Sequence, residues 1–149
     1  MAQTYIGSTL RTGSGTLTDT VDGGFVLVSQ TTTVTTAADG SAVSSTITIP
    51  ASSQIVNFFV DCLTTPVVGG GTATTVPMTI GTVAAGTQYV SSTNVISGGR
   101  ASLTFTAAQL TAMSDVGTNQ GVVITVDPNG TISTTQGVYR FTVTYSQKV

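Results

Sequence analysis

Between residues 137 and 145, Tyr139, Phe141, Val143 and Tyr145 alternate with Val138, Arg140, Thr142 and Thr144. A side-chain period of two sends each set to its own face, so the segment reads as a half-buried β-strand with an aromatic inner side. The same period recurs upstream. Ile47 and Ile49 alternate with Thr46 and Thr48, and Pro50 closes that strand because it has no N–H for a ladder. Across residues 55–64, Val56, Phe58, Val60 and Cys62 are expected on one face, opposite Ile55, Asn57, Phe59, Asp61 and Leu63. Further strands are read at residues 25–29, 30–36, 42–49, 77–83, 88–90, 100–106 and 121–127, each rich in Val, Ile, Thr or aromatics. In the 100–106 strand, Leu103 and Phe105 are expected to point inward.

Turn residues punctuate these runs. Asp39-Gly40 is a hairpin signal, Gly69-Gly70-Gly71 forms a loop between Pro66 and Pro77, and Gly98-Gly99 makes a tight turn. Asp127-Pro128-Asn129-Gly130 joins the last two strands, with Gly130 expected in a left-handed conformation. Residues 106–113 are the one helical candidate, with Thr106 as N-cap and Ala107, Leu110 and Met113 on one face. Eight to ten short strands with so little helix predict an all-β antiparallel sandwich, jelly-roll-like or Greek-key. Residues 23–149 are read as that one sandwich domain. Residues 1–22 are read as an N-terminal arm, either frayed or ordered by a partner, in which Tyr5, Ile6, Leu10 and Arg11 are the candidate partner-binding residues.

Composition narrows the function. Only 7% of the 149 residues are charged, against about 25% in a typical globular domain. Thr, Ser and Gly number 32, 15 and 17, whereas His, Glu and Trp are absent. Four basic residues and a net charge of −2 argue against nucleic-acid binding. No apolar run approaches the length that spans a bilayer, and the first residues do not form a signal peptide, so a soluble chain made in a cytoplasm is expected. Cys62 suits that reducing setting as a small buried hydrophobe.

Little is left for chemistry. Without His a Ser–His–Asp triad is impossible, and a Ser–Lys dyad would have to use Lys148. Asp19, Asp22, Asp39 and Asp127 sit at or near turns, and Asp61 is expected to pair with Arg100 or Arg140 or to face solvent. The stretch from Asp127 lacks the glycine and the bidentate glutamate of a calcium loop. Tyr139 and Tyr145 are assigned to the core, with their hydroxyls at its rim. No enzyme activity, metal or cofactor is expected. The remaining surface of hydroxyls and backbone lets copies crowd together without mutual repulsion, and it lacks the charges that usually guard strand edges.

One resemblance follows from the residues. The stretch from Thr46 to Val56, TITIPASSQIV, resembles a passage in small tailed-bacteriophage head proteins, in which an apolar-Pro-Ala step leads into an Ile/Val strand. Ile80-Gly-Thr-Val83, Gln88-Tyr-Val90, Gly99-Arg-Ala-Ser-Leu103 and the 137–145 strand follow in the same order, so the resemblance covers about residues 46–145. It implies a capsid decoration (cement) protein or head-fibre base. Such a protein is a β-sandwich on the outer face of the major capsid lattice, often a trimer, with the major capsid protein and copies of itself as partners. No catalytic residues come with it. The alternatives are a host- or carbohydrate-binding module of a fibre, or a tail-tube or baseplate subunit.

Overall fold

The computed structural model describes residues 11–12, 15–16 and 25–148. Two short strands, β1 (Arg11–Thr12) and β2 (Gly15–Thr16), pair antiparallel, with Arg11 opposite Thr16. The main body comprises β3 (Phe25–Thr35), β4 (Val43–Ile49), β5 (Ser53–Thr64), β6 (Pro77–Gly81), β7 (Val90–Asn94), β8 (Gly99–Arg100), α1 (Ala107–Ser114), β9 (Gln120–Val126) and β10 (Val138–Lys148). These eight strands form two antiparallel four-stranded sheets, ordered β3-β10-β5-β8 and β4-β9-β6-β7. The chain changes sheet at every step except β6 to β7. Each sheet thus interleaves early and late strands, which is the double Greek key of a jelly roll.

The inner faces meet as the alternation requires. Tyr139, Phe141, Val143 and Tyr145 of β10 are all buried, and Ile47, Ile49, Met78, Ile80, Val122, Ile124 and Val126 line the opposing sheet. Phe58 bridges the layers, with its ring 5.9 Å from Phe141 and 5.6 Å from Tyr89. At one end of the roll the loops lock together through backbone. Ile132 N donates to Ala38 O, Thr72 N to Thr131 O and Thr36 N to Gly137 O. The glycine loop at 69–71 is therefore tied down: Gly71 N donates to Val68 O, and Ser133 N reaches the same carbonyl.

Several local expectations change. Residues 25–35 form one eleven-residue strand and not two runs, because β3 pairs with β10 along its full length without a register break. Asp39-Gly40 does make a turn: Gly40 has φ +82° and Asp39 Oδ1 accepts from Ser41 N at 2.9 Å. The strands it joins lie in different sheets, so it is a corner and not a hairpin. In β5 the pairing with β10 passes from Asn57↔Thr144 to Ile55↔Tyr145, leaving Val56 unmatched. This β-bulge resets the alternation, so Ile55 turns inward and Val56 lies 52% exposed.

The segment after β8 departs in another way. Only Gly99 and Arg100 join the ladder, although Leu103 and Phe105 still pack on the core, so the period of two survives without strand pairing. Strand β7 begins at Val90 and runs on through Ser91–Asn94, whose polar residues carry no apolar alternation. Gly130 is not left-handed. Its constraint is space, since a Cβ there would lie 2.5 Å from Thr72 Oγ1 and 2.9 Å from Ala73 N. The helix starts as expected at Thr106, whose hydroxyl accepts from Gln109 N at 3.3 Å. Its inward residues are Gln109 and Met113, while Leu110 is 53% exposed.

Candidate interaction face and interior cleft

The outward side of the β3-β10-β5-β8 sheet is built from hydroxyl pairs that shade into an ionic cluster. Ser29 Oγ lies 2.9 Å from Thr144 Oγ1, and Thr31 Oγ1 lies 2.9 Å from Thr142 Oγ1. Such cross-strand pairs stabilise a sheet while leaving its surface uncharged. Toward β8, Asp61 takes both Arg100 and Arg140. Arg100 Nε donates to Oδ1 at 2.7 Å, and Arg140 Nη2 donates to Oδ2 at 3.0 Å. Arg100 also lies over the Phe59 ring, 4.8 Å from its centroid. The hydrogen bond from Arg100, reinforced by Arg140 and by the field of both, holds the Asp61 carboxyl below the usual carboxylate range despite some desolvation. Two cations and one anion leave this corner with one net positive charge.

Of the edge strands, β3, β4 and β7 hold no charged residue, whereas β8 carries Arg100. β3 contains no proline and no charged residue, and its pairing with β10 has no bulge. Beside β3 the two sheets are stitched by side chains: Thr32 Oγ1 meets Ser45 Oγ at 2.9 Å, and Gln30 Nε2 donates to Thr48 O at 3.3 Å. Among the described residues, no strand pairs with the outer edges of β3, β4 or β7.

A second feature lies on the inner side of β8. A cleft of about 210 Å³ opens there, lined by Val60, Cys62, Asn94, Ser97, Ser102 and Tyr139, among others. Tyr139 is fully buried, and its hydroxyl has no hydrogen-bond partner among the described residues. Burial raises its ionisation well above the ordinary tyrosine range, and a negative charge on neighbouring Cys62 would raise it further. Cys62 Sγ donates to Thr64 O at 3.2 Å.

Asp61 finds both of its expected partners. Of the candidate arm residues, Tyr5, Ile6 and Leu10 lie outside the described residues, and Arg11 is described only by its backbone pairing in β1. The Tyr139 hydroxyl lies inside the core and not at the rim to which the sequence assigns it. Asn129 serves the turn: its Oδ1 accepts from Thr74 N and Thr75 N at 2.8 and 2.9 Å. Among the described residues no three His, Cys, Asp or Glu side chains are gathered as a metal would need, and no helix is long and apolar enough to cross a membrane.

Two features escape the sequence reading. Gln109 is a buried polar anchor: its Oε1 accepts from Thr106 N at 2.8 Å, and its Nε2 donates to Thr87 O and Ser91 Oγ. The Thr-x-x-Gln spacing of a capping box is its available signal. The cleft has none, because it arises where the β7–β8 connection crosses over β5. Compared with protein-family models, curated proteins and solved structures, the chain matches none.

Proposed function

We propose that this chain is a non-enzymatic virion structural protein that binds the outside of an assembled bacteriophage capsid and stabilises it as a decoration or cement protein, acting as a homo-oligomer and most simply as a trimer. The observation that carries this reading is the row of paired Ser and Thr hydroxyls on the outward side of the β3-β10-β5-β8 sheet, where charge is confined to the Asp61–Arg100–Arg140 corner, together with the edge strands β3, β4 and β7, which hold no charged residue. Such a surface can lie against identical neighbours on a lattice without charge repulsion. The plain edges can accept an extended segment by strand addition, and the arm at residues 1–22, with Tyr5, Ile6, Leu10 and Arg11, can fill grooves between capsomers. A protein that binds only the assembled lattice stabilises that lattice by mass action against internal pressure.

The test is sedimentation of the purified chain with assembled capsids, and separately with unassembled capsid subunits, of the virus in whose genome it is encoded. Saturable binding to assembled capsids alone is expected. Equal binding to free subunits, or none to capsids, overturns the reading. Removing residues 1–22 tests the arm, and undiminished occupancy takes it out of the mechanism.

A further inference from the structure

On the outward side of the β3-β10-β5-β8 sheet, bonding capacity is left over at one corner. The Ser and Thr hydroxyls answer one another across the strands, as Ser29 does with Thr144 and Thr31 with Thr142. The guanidiniums differ. Arg100 gives Nε and Nη2 to Asp61, and Arg140 gives Nη2. Each guanidinium carries five N–H donors, so both heads keep donors for a further acceptor. The two arginine side chains are 60% and 47% exposed, against 15% for Asp61. A partner arriving here meets two cations and little of the anion between them. Both heads are also held in place, by Asp61 and, for Arg100, by the Phe59 ring at 4.8 Å. Less side-chain freedom is then lost on contact.

A carboxylate fits these donors, because its planar oxygens match the guanidinium fork. The chain itself carries one that is equally well held. Asp39 stands exposed at the turn between β3 and β4, where Ile132 N donates to Ala38 O on one side and Gly40 closes the turn on the other. Its Oδ1 accepts from Ser41 Oγ at 2.6 Å and from Ser41 N at 2.9 Å, and these bonds hold the carboxyl below the usual carboxylate range. Oδ2 has no partner among the described residues, and Asp39 forms no ion pair within its own copy there. Of the other exposed carboxylates, Asp115 accepts one bond, from Gly117 N, and Asp127 accepts none among the described residues. Two corners set face to face would oppose one net positive charge to another, so the corner suits a different surface of its neighbour. We propose that copies of this chain associate through the Arg100–Arg140 corner of one copy and the Asp39 turn of the next. Such a contact closes as a two-fold pair or passes round a ring, of which the trimer is the smallest. The proposal rests on the homo-oligomer of the reading above and names its contact.

The experiment is sedimentation equilibrium of the full chain without capsids, at up to roughly 1 mM because exposed ion pairs are individually weak. A dimer or trimer is expected in about 0.05 M NaCl, with association weakened about fivefold or more in about 0.5 M NaCl. Asp39→Lys and Arg140→Glu are each expected to weaken it about tenfold or more, and the double variant, which exchanges the two signs, to restore it. Arg140→Gln sets no second carboxylate beside Asp61 and gives the same loss should Arg140→Glu fail to fold. Asp115→Asn and Asp127→Asn are expected to associate like the unsubstituted chain. A monomer throughout, indifference to Asp39→Lys, a folded double variant that stays monomeric, or loss in Asp115→Asn or Asp127→Asn each overturns the proposal. A monomer that still binds capsids overturns this contact alone, and an oligomer that ignores capsids overturns the capsid reading alone.

Discussion

At Tyr139, burial and hydrogen bonding are in conflict. The ring fills the core beside Gly137, while its hydroxyl finds no partner among the described residues. Removing the hydroxyl leaves the packing intact and deletes an unsatisfied group, so Tyr139→Phe is expected to hold stability level or raise it by about 1 kcal/mol. Urea denaturation checks this, and a clear fall in the midpoint would count against it. Gly40 is the opposite case. Its φ is +82°, and a Cβ there would lie 2.6 Å from Gly130 O, which leaves no room for a side chain. Gly40→Ala should cost about 1–3 kcal/mol in the same assay, since both the backbone conformation and the loop contact oppose it. Asp61 gives a pH signature. Its carboxyl titrates lower in the folded chain than in the unfolded one, so its contribution is present above the unfolded value of 3.8 and is lost as pH falls through the lower folded value. Asp61→Asn should therefore flatten the acid limb of the stability profile below about pH 4, at a cost of up to about 1 kcal/mol at neutral pH. An unchanged acid limb would show that the pair contributes nothing there.

Among the elements, α1 depends most on a single residue. Gln109 closes the capping box and ties the helix to Thr87 and Ser91, whereas Leu110 projects into solvent. Gln109→Ala is expected to cost about 1–2 kcal/mol and Leu110→Ala almost nothing, an order that chemical denaturation of the two variants reads directly. Apolarity alone predicts the reverse, because it cannot show that a helix of eight residues beside a sheet is anchored by a hydrogen-bonding side chain in place of an apolar stripe. The strands show where sequence reading works. In β10 the period of two runs unbroken, so every inward residue is legible. In β5 the same logic assigns Val56 to the wrong face, since a one-residue bulge leaves no mark in the local pattern. The segment after Arg100 alternates like a strand yet pairs with nothing beyond its first step, because periodicity records which side faces the core and says nothing of a ladder partner.

For the whole molecule, the number of strands and the scarcity of helix point to a sandwich, while the interleaved strand order comes only from pairings far apart in sequence. The same holds for the candidate surfaces. The hydroxyl composition is plain in the sequence, but its arrangement as paired Ser and Thr on one outward face, and the meeting of Asp61 with two arginines, need the fold. The proposed role as lattice cement rests on that nearly uncharged face. The most direct measurement is a cryo-electron microscopy reconstruction of assembled capsids incubated with the chain. The account predicts sandwich-sized density at repeating positions on the outer surface, with the β3-β10-β5-β8 sheet or its neighbouring edges in contact with the shell or with adjacent copies. Bare capsids at saturating protein would contradict it.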